Sequence, residues 1–214
     1  MPNRQHHWIA RIYLWLTERL YNELAWVYDL VSWLVSLGNW DTVRKWALEY
    51  TIGSRMLEIG FGTGELLIAL ARQQIQVVGL DRSPAMQRVA RRKLRRRGVS
   101  IPLVEGLTQA APFASQSFDT ILATYPAGYL LESETWQELA RLLRPPAGRL
   151  VVVGMWYAFT LRRSQTHAPL EGTVWAKLQA QCQELAQSAG LELQVVMRRH
   201  GKMTFPILLA ERRS

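Results

Sequence analysis

The residues with chemistry to offer sit at Gly60, Gly62 and Gly64. They are spaced G-x-G-x-G, after the apolar run 56-MLEI-59 and before the helix-like pattern 65-ELLIAL-70. A glycine-rich turn from strand to helix lets a ligand approach the backbone closely, the usual setting of a nucleotide cofactor. A dinucleotide loop reads G-x-G-x-x-G and rests its pyrophosphate on the following helix N-terminus. In that register the third glycine falls on Glu65, whose carboxylate repels a pyrophosphate and places the wrong anion at the helix start. Acids on both sides of the loop, Glu58 before it and Glu65 after it, suit a cationic, phosphate-free adenosine ligand. S-adenosyl-L-methionine (SAM) is such a ligand, carrying a sulfonium and an ammonium. Asp81 ends the next apolar run, 76-QVVGLD-81, 17 residues after Gly64. A carboxylate there can accept both ribose hydroxyls, in a dinucleotide or in SAM alike. The plainer reading is a tight strand-to-helix turn capped by ordinary acids.

Such a loop needs a sheet behind it. From residue 53 onward, short β-branched or Leu-rich runs alternate with longer helical ones. The pattern predicts strands over 55–59, 76–81, 101–105, 118–124 and 149–154, with helices over 65–73, 84–97 and 133–143. Ser83-Pro84 is a good helix start, a capping residue followed by proline in the first turn. This alternation predicts an α/β fold with a parallel, doubly wound sheet. The end differs: a helix over 173–188 stops at Gly190, and strands over 191–199 and 203–211 follow with only His200-Gly201-Lys202 between them. That connection is too short for a crossover, so the last two strands should form an antiparallel hairpin.

The chain of 214 residues is long enough for one substantial core, and 49% hydrophobic with 20% charged residues is an ordinary globular balance. A single cysteine, Cys182, allows no disulfide framework and points to a reducing cytosol. Charges interrupt the apolar N-terminal zone repeatedly, and its longest uncharged run, 30–40, is about half the ~20 residues a spanning helix needs. A cytoplasmic, non-spanning protein without a leader is therefore expected, and no metal site. Trp8, Trp15, Trp26, Trp33 and Trp40 recur at helical spacing, as expected of a helical cap packing on the sheet domain or roofing an apolar pocket. Eight of the +9 net charges fall between 82 and 97, in Arg82, Arg88, Arg91, Arg92, Lys93, Arg95, Arg96 and Arg97, with no acid among them. A solvated helix face is the plain reading. Anionic lipid head groups come next, then RNA, for which no reading module is visible.

Four segments carry a family resemblance: 57-LEIGFGTGE-65, 78-VGLDRSPAM-86, 112-PFASQSFDTILAT-124 and 142-LLRPPAGRLVVVG-154. The chain resembles class I SAM-dependent methyltransferases, especially the small-molecule branch with the quinone and phospholipid methyltransferases. The resemblance implies a Rossmann-like seven-stranded sheet of order 3-2-1-4-5-7-6, strand 7 antiparallel, over 51–214, with an N-terminal helical cap over 1–50. It implies SAM as cofactor, with Glu58, Gly60, Gly62 and Gly64 facing its methionine part, Asp81 its ribose, Arg82 and Met86 near the adenine, and Phe61 among the cofactor-binding residues. Relatives place a G-D pair after the third strand. Here Gly106-Leu107-Thr108 stands instead, so Leu107 would cover the adenine face and Thr108 would supply a hydrogen bond. Thr124 completes this set at the end of the fourth strand.

The implied reaction moves an activated methyl group, so the protein must align the reactants and exclude water. No catalytic triad is needed. Tyr125 and Tyr129, beyond the fourth strand, are candidates for acceptor contact or a weak base, against plain packing within the loop. His167 is a candidate general base in the linker 155–170, whose Trp156 would help cover the site. The 21-YNELAWVYDLVS-32 segment resembles the lid of the quinone and phospholipid enzymes, so Tyr21, Tyr28 and Asp29 are candidate lid contacts. The expected partner is a small, apolar or lipid-like acceptor, with peripheral contact to an anionic membrane as a further expectation and nucleic acid disfavoured. Two alternatives stand beside it: a SAM-fold protein that binds a partner or membrane without turnover, and a methyltransferase of RNA or protein.

Overall fold

The computed structural model describes residues 40–126, 128–154, 174–200 and 203–212. Helix α1 (Trp40–Glu49) precedes β1 (Arg55–Ile59), α2 (Glu65–Arg72), β2 (Gln76–Asp81), α3 (Pro84–Arg96) and β3 (Leu103–Glu105). Then come β4 (Thr120–Thr124), α4 (Ser133–Leu142), β5 (Arg149–Val153), α5 (Val174–Ser188), β6 (Leu191–His200) and β7 (Met203–Arg212). The strands form one seven-stranded sheet of order β3-β2-β1-β4-β5-β7-β6. β1 to β5 pair in parallel, and β7 runs antiparallel to both β5 and β6. The order and the antiparallel seventh strand are those expected.

Two strand starts are later than the sequence pattern suggests, and each has a local cause. β3 begins at Leu103 because Pro102 has no amide to give the ladder; its carbonyl accepts the Gly79 amide instead at 3.0 Å. β4 begins at Thr120 because Phe118 makes only an isolated parallel bridge to Leu143. β5 stops at Val153, where Gly154 turns away at φ +81°.

The central strands are buried on both faces, as their near-continuous apolar runs require. Leu57, Ile59, Ile121, Ala123, Leu150 and Val152 face α4 and α5, packing with Trp136, Leu139 and Cys182. Met56, Leu122, Val151 and Val153 face the other way, against Leu66, Leu67 and Trp46. Trp46 carries α1 onto the terminal hairpin: its ring lies 5.4 Å from that of Phe205, and the Arg198 guanidinium sits 5.5 Å above it. Burial pushes the Cys182 thiol up to about 11, so it packs as a small hydrophobe rather than a nucleophile. Among the described residues no helix is long and apolar enough to cross a membrane. Of the tryptophan series, Trp8, Trp15, Trp26 and Trp33 lie outside the described residues.

Candidate cofactor site

One polar residue breaks the apolar pattern of β1. Glu58 pairs with Gly79 on one side and Leu122 on the other, in the middle of the sheet, and is 1% exposed. Its Oε2 has no hydrogen-bond partner among the described residues. A buried carboxylate oxygen without a partner carries a desolvation cost that a cationic ligand would relieve. Burial is the main cause that raises the Glu58 carboxyl well above its ordinary range, and the Asp81 charge adds to it. The Thr124 hydroxyl, the Leu67 amide and the Arg44 charge pull the other way.

Past Glu58 the chain turns through Gly60, Gly62 and Gly64 at φ of +63°, +54° and +80°. Three left-handed residues in five explain the glycines. Gly64 also lets α2 and α3 approach: a Cβ there would lie 3.1 Å from that of Ala90. The Gly60 amide donates to the Leu80 carbonyl at 2.7 Å, tying the loop to β2. Asp81, 7% exposed, holds the other end: Oδ2 accepts the Gly62 amide and Oδ1 the Ser83 amide, each at 2.8 Å. Each oxygen keeps a lone pair for another donor. Burial raises the Asp81 carboxyl, against those two amides and the Arg82 charge.

The remaining expected residues take varied positions. Phe61 is buried in the core over Gly79, whose added Cβ would meet the Phe61 ring at 2.7 Å, so its contribution to the loop is backbone. Met86 is fully buried; its amide donates to the Ser83 hydroxyl at 3.3 Å, capping α3. Arg82 is exposed. The Gly106 amide donates to the Asp81 carbonyl at 3.2 Å, which brings the 106–108 segment beside the acid. There Leu107 is 51% exposed, one of two large apolar side chains so exposed among the described residues, while Thr108 is buried. Thr124 is buried at the end of β4.

Glu65 is a correction. It does not face the ligand site: its oxygens are taken by Arg44 at 3.3 Å and Lys93 at 3.0 Å, joining α1 and α3 to the start of α2. The acidity at the loop therefore comes from Glu58 and Asp81.

Beyond β4, Tyr125 takes φ +49°, its amide donating to the Val153 carbonyl at 2.8 Å. Its ring occupies the space a Cβ on Gly154 would need, at 2.7 Å. Tyr129 lies in the 3-10 turn Gly128–Leu131, with its hydroxyl 3.2 Å from where a Gly60 Cβ would stand. That turn is held by Trp136, whose Nε1 donates to the Leu130 carbonyl at 2.8 Å. Tyr129 thus reaches over the glycine loop, and Tyr125 lies at the mouth between β4 and β5. His167, Trp156, Tyr21, Tyr28 and Asp29 lie outside the described residues. Two features went unread in the sequence: Arg44, whose partners are remote in the chain, and the Tyr125–Gly154 contact, which follows from an unusual backbone angle. A groove of about 560 Å³ bordered by Arg55, Gln74, Ile101 and Ser117 lies at the amino ends of the strands, away from this site.

The carboxyl-end position of the loop and the sheet order together define a class I methyltransferase fold. Residues 56–146 match a family model described as a methyltransferase domain. Within that class, a demethylmenaquinone methyltransferase of Thermus thermophilus is 33% identical over 140 residues, covering 63% of this chain and 63% of its own. The chain thus spans less than two thirds of the length of the curated relatives it matches. A Methanococcus maripaludis structure assigned as a SAM-dependent methyltransferase superposes with a TM-score of 0.68 at 17% identity, covering 91% of this chain and 95% of its own. The [4+2]-cyclase SpnF shares the fold too, with a TM-score of 0.61 at 21% identity over 80% of each chain. Fold similarity at that identity fixes architecture and not reaction.

Proposed function

We propose that this protein is a SAM-dependent methyltransferase acting on a lipid-like, quinone-type acceptor. One observation carries the cofactor: Glu58, buried in β1 with an unpartnered oxygen, stands beside Asp81 at a glycine loop. That pair makes an acidic pocket, which fits a ligand with a sulfonium, an ammonium and a ribose. The quinone-type acceptor is supported by the demethylmenaquinone methyltransferase among the relatives.

In this reading Glu58 takes the ammonium, Asp81 the ribose hydroxyls, and Leu107 the adenine face. The glycines keep the backbone low enough for the ligand to lie against it. Bound SAM supplies an activated methyl group, so the chain needs to position the acceptor and exclude water rather than generate a strong nucleophile. In the same reading Tyr129 and Tyr125 border the acceptor, and Tyr129 Oη is the group to hold or take a proton if the acceptor carries one. His167, Trp156, Tyr21, Tyr28 and Asp29 belong to the lid in this reading, and residues 1–50 form the cap. Peripheral association with an anionic membrane surface goes with such an acceptor.

Incubation with methyl-labelled SAM and a demethylated quinone tests the reading: label should enter the organic extract. SAM binding without transfer to any extract fraction would favour a SAM-fold protein of another activity, for which the cyclase with the same fold is the precedent.

A further inference from the structure

Helix α3 carries more charge than its packing uses. Its buried side is Ala85, Met86, Gln87, Ala90 and Leu94, and two of its cations have partners within the fold. Lys93 bonds Glu65 at 3.0 Å, and Arg91 Nη2 donates to the Leu103 carbonyl at 3.1 Å. Arg88, Arg92, Arg95 and Arg96 remain, all exposed. At about 100° per residue they fall within an arc of roughly 100°, over a length of about 12 Å. Arg97 continues the run at the C-cap. No acid occurs from residue 82 to 104, and no ion pair is made by these four among the described residues. The pairs 88/92 and 92/96 are like charges one turn apart, which destabilises an isolated helix. A surface of this kind gains from an external array of anions.

We infer that this arginine face of α3 is the surface by which the protein docks on an anionic lipid bilayer. The inference rests on the proposed lipid-like acceptor, and it goes further by naming the face. All four residues are arginine, whose planar fork pairs with phosphate oxygens in two parallel hydrogen bonds. A straight, convex stripe meets a plane of lipid phosphates along its length. Single-stranded RNA needs aromatic platforms for its bases, and none occurs between residues 82 and 112. The helix begins at Ser83-Pro84 at the cofactor end of the sheet, and its arginine face runs from the second turn to the C-terminus, along the flank of the domain.

The test is sedimentation of the full chain with vesicles of phosphatidylcholine, with and without a minority of phosphatidylglycerol. The protein should partition to the anionic vesicles, ignore the neutral ones, and be released by high salt. The combined variant Arg88→Gln, Arg92→Gln, Arg95→Gln, Arg96→Gln should lose at least about tenfold in partitioning. The corresponding four-lysine variant should keep most of it. Circular dichroism of both variants should match the parent, and methyl transfer to a short-chain, water-soluble acceptor should be unchanged. Equal partitioning by the parent and a folded four-glutamine variant overturns the inference, as does a preference for single-stranded RNA over anionic vesicles in competition. Loss of partitioning with no methyl transfer by any form keeps the docking face and removes the proposed activity instead.

Discussion

Asp81 holds Gly62: its Oδ2 accepts the glycine amide at 2.8 Å, so the acid at the end of β2 fixes the loop at the end of β1. The residue proposed to read the ribose therefore also sets the shape of the glycine turn. Asp81→Ala should weaken SAM binding at least about tenfold and leave the Gly62 and Ser83 amides without their acceptor, a cost of roughly 1–3 kcal/mol per buried donor. Calorimetric titration with SAM checks the affinity and a thermal melt checks the scaffold. An unchanged affinity would remove Asp81 from the site.

Glu58 gives the site a pH dependence whose sign follows from its environment. Burial, then the Asp81 charge, raises its carboxyl, so the free protein keeps a proton there at pH values where an unfolded chain has lost it. The stability this group contributes is present at low pH and is lost as pH rises through the raised value. A cationic ligand favours the ionised form, so SAM affinity should rise across the same window, with proton release seen as a buffer-dependent binding enthalpy. Asp81, raised in the same direction, and Arg44, which opposes, are the charged groups acting on it. Glu58→Gln should flatten the profile, weaken binding at the alkaline end and stabilise the ligand-free protein near neutrality. A steep profile retained in that variant would assign the titration elsewhere.

Most of the architecture was legible because it rests on periodicity and punctuation. β1 and β2 run over the spans expected, and the short link before β7 forced an antiparallel hairpin. The glycine loop was legible for a similar reason: no other residue takes three left-handed angles in five positions. Glu65 was misread because its partners, Arg44 and Lys93, lie 21 and 28 residues away in sequence, and a spacing rule cannot see a contact made by tertiary packing. Phe61 and Met86 are both buried, and that burial depends on what packs beneath them rather than on motif position.

Gly154 should be hard to replace, and for a reason separable from backbone strain. Its φ of +81° costs any residue with a Cβ about 1–2 kcal/mol, and the Cβ would also lie 2.7 Å from the Tyr125 ring. Gly98 is a matched control, at φ +65° with nothing within 4 Å. Gly98→Ala should lower the melting temperature by a few degrees, near ~2–4 °C per kcal/mol for a chain of this size. Gly154→Ala should lower it further and also raise the KM for the acceptor, because Tyr125 must move. Equal effects of the two substitutions on both readouts would mean that the Tyr125 contact carries no weight.

The two acids flanking the glycine loop should separate cleanly by mutation. Glu65 sits at the helix start, the position where a motif reading puts a ligand contact, yet both its oxygens are used by Arg44 and Lys93. Its side chain is 34% exposed, and such ion pairs contribute about 0–1 kcal/mol. Glu65→Gln should therefore change SAM affinity by less than about threefold and shift the melting temperature only slightly, with the shift shrinking as salt is raised. Glu58→Gln, at the buried position, should change affinity far more. If Glu65→Gln proves the more damaging of the two for binding, the carboxylate that meets the cation is the one after the loop, and the Glu58 assignment falls.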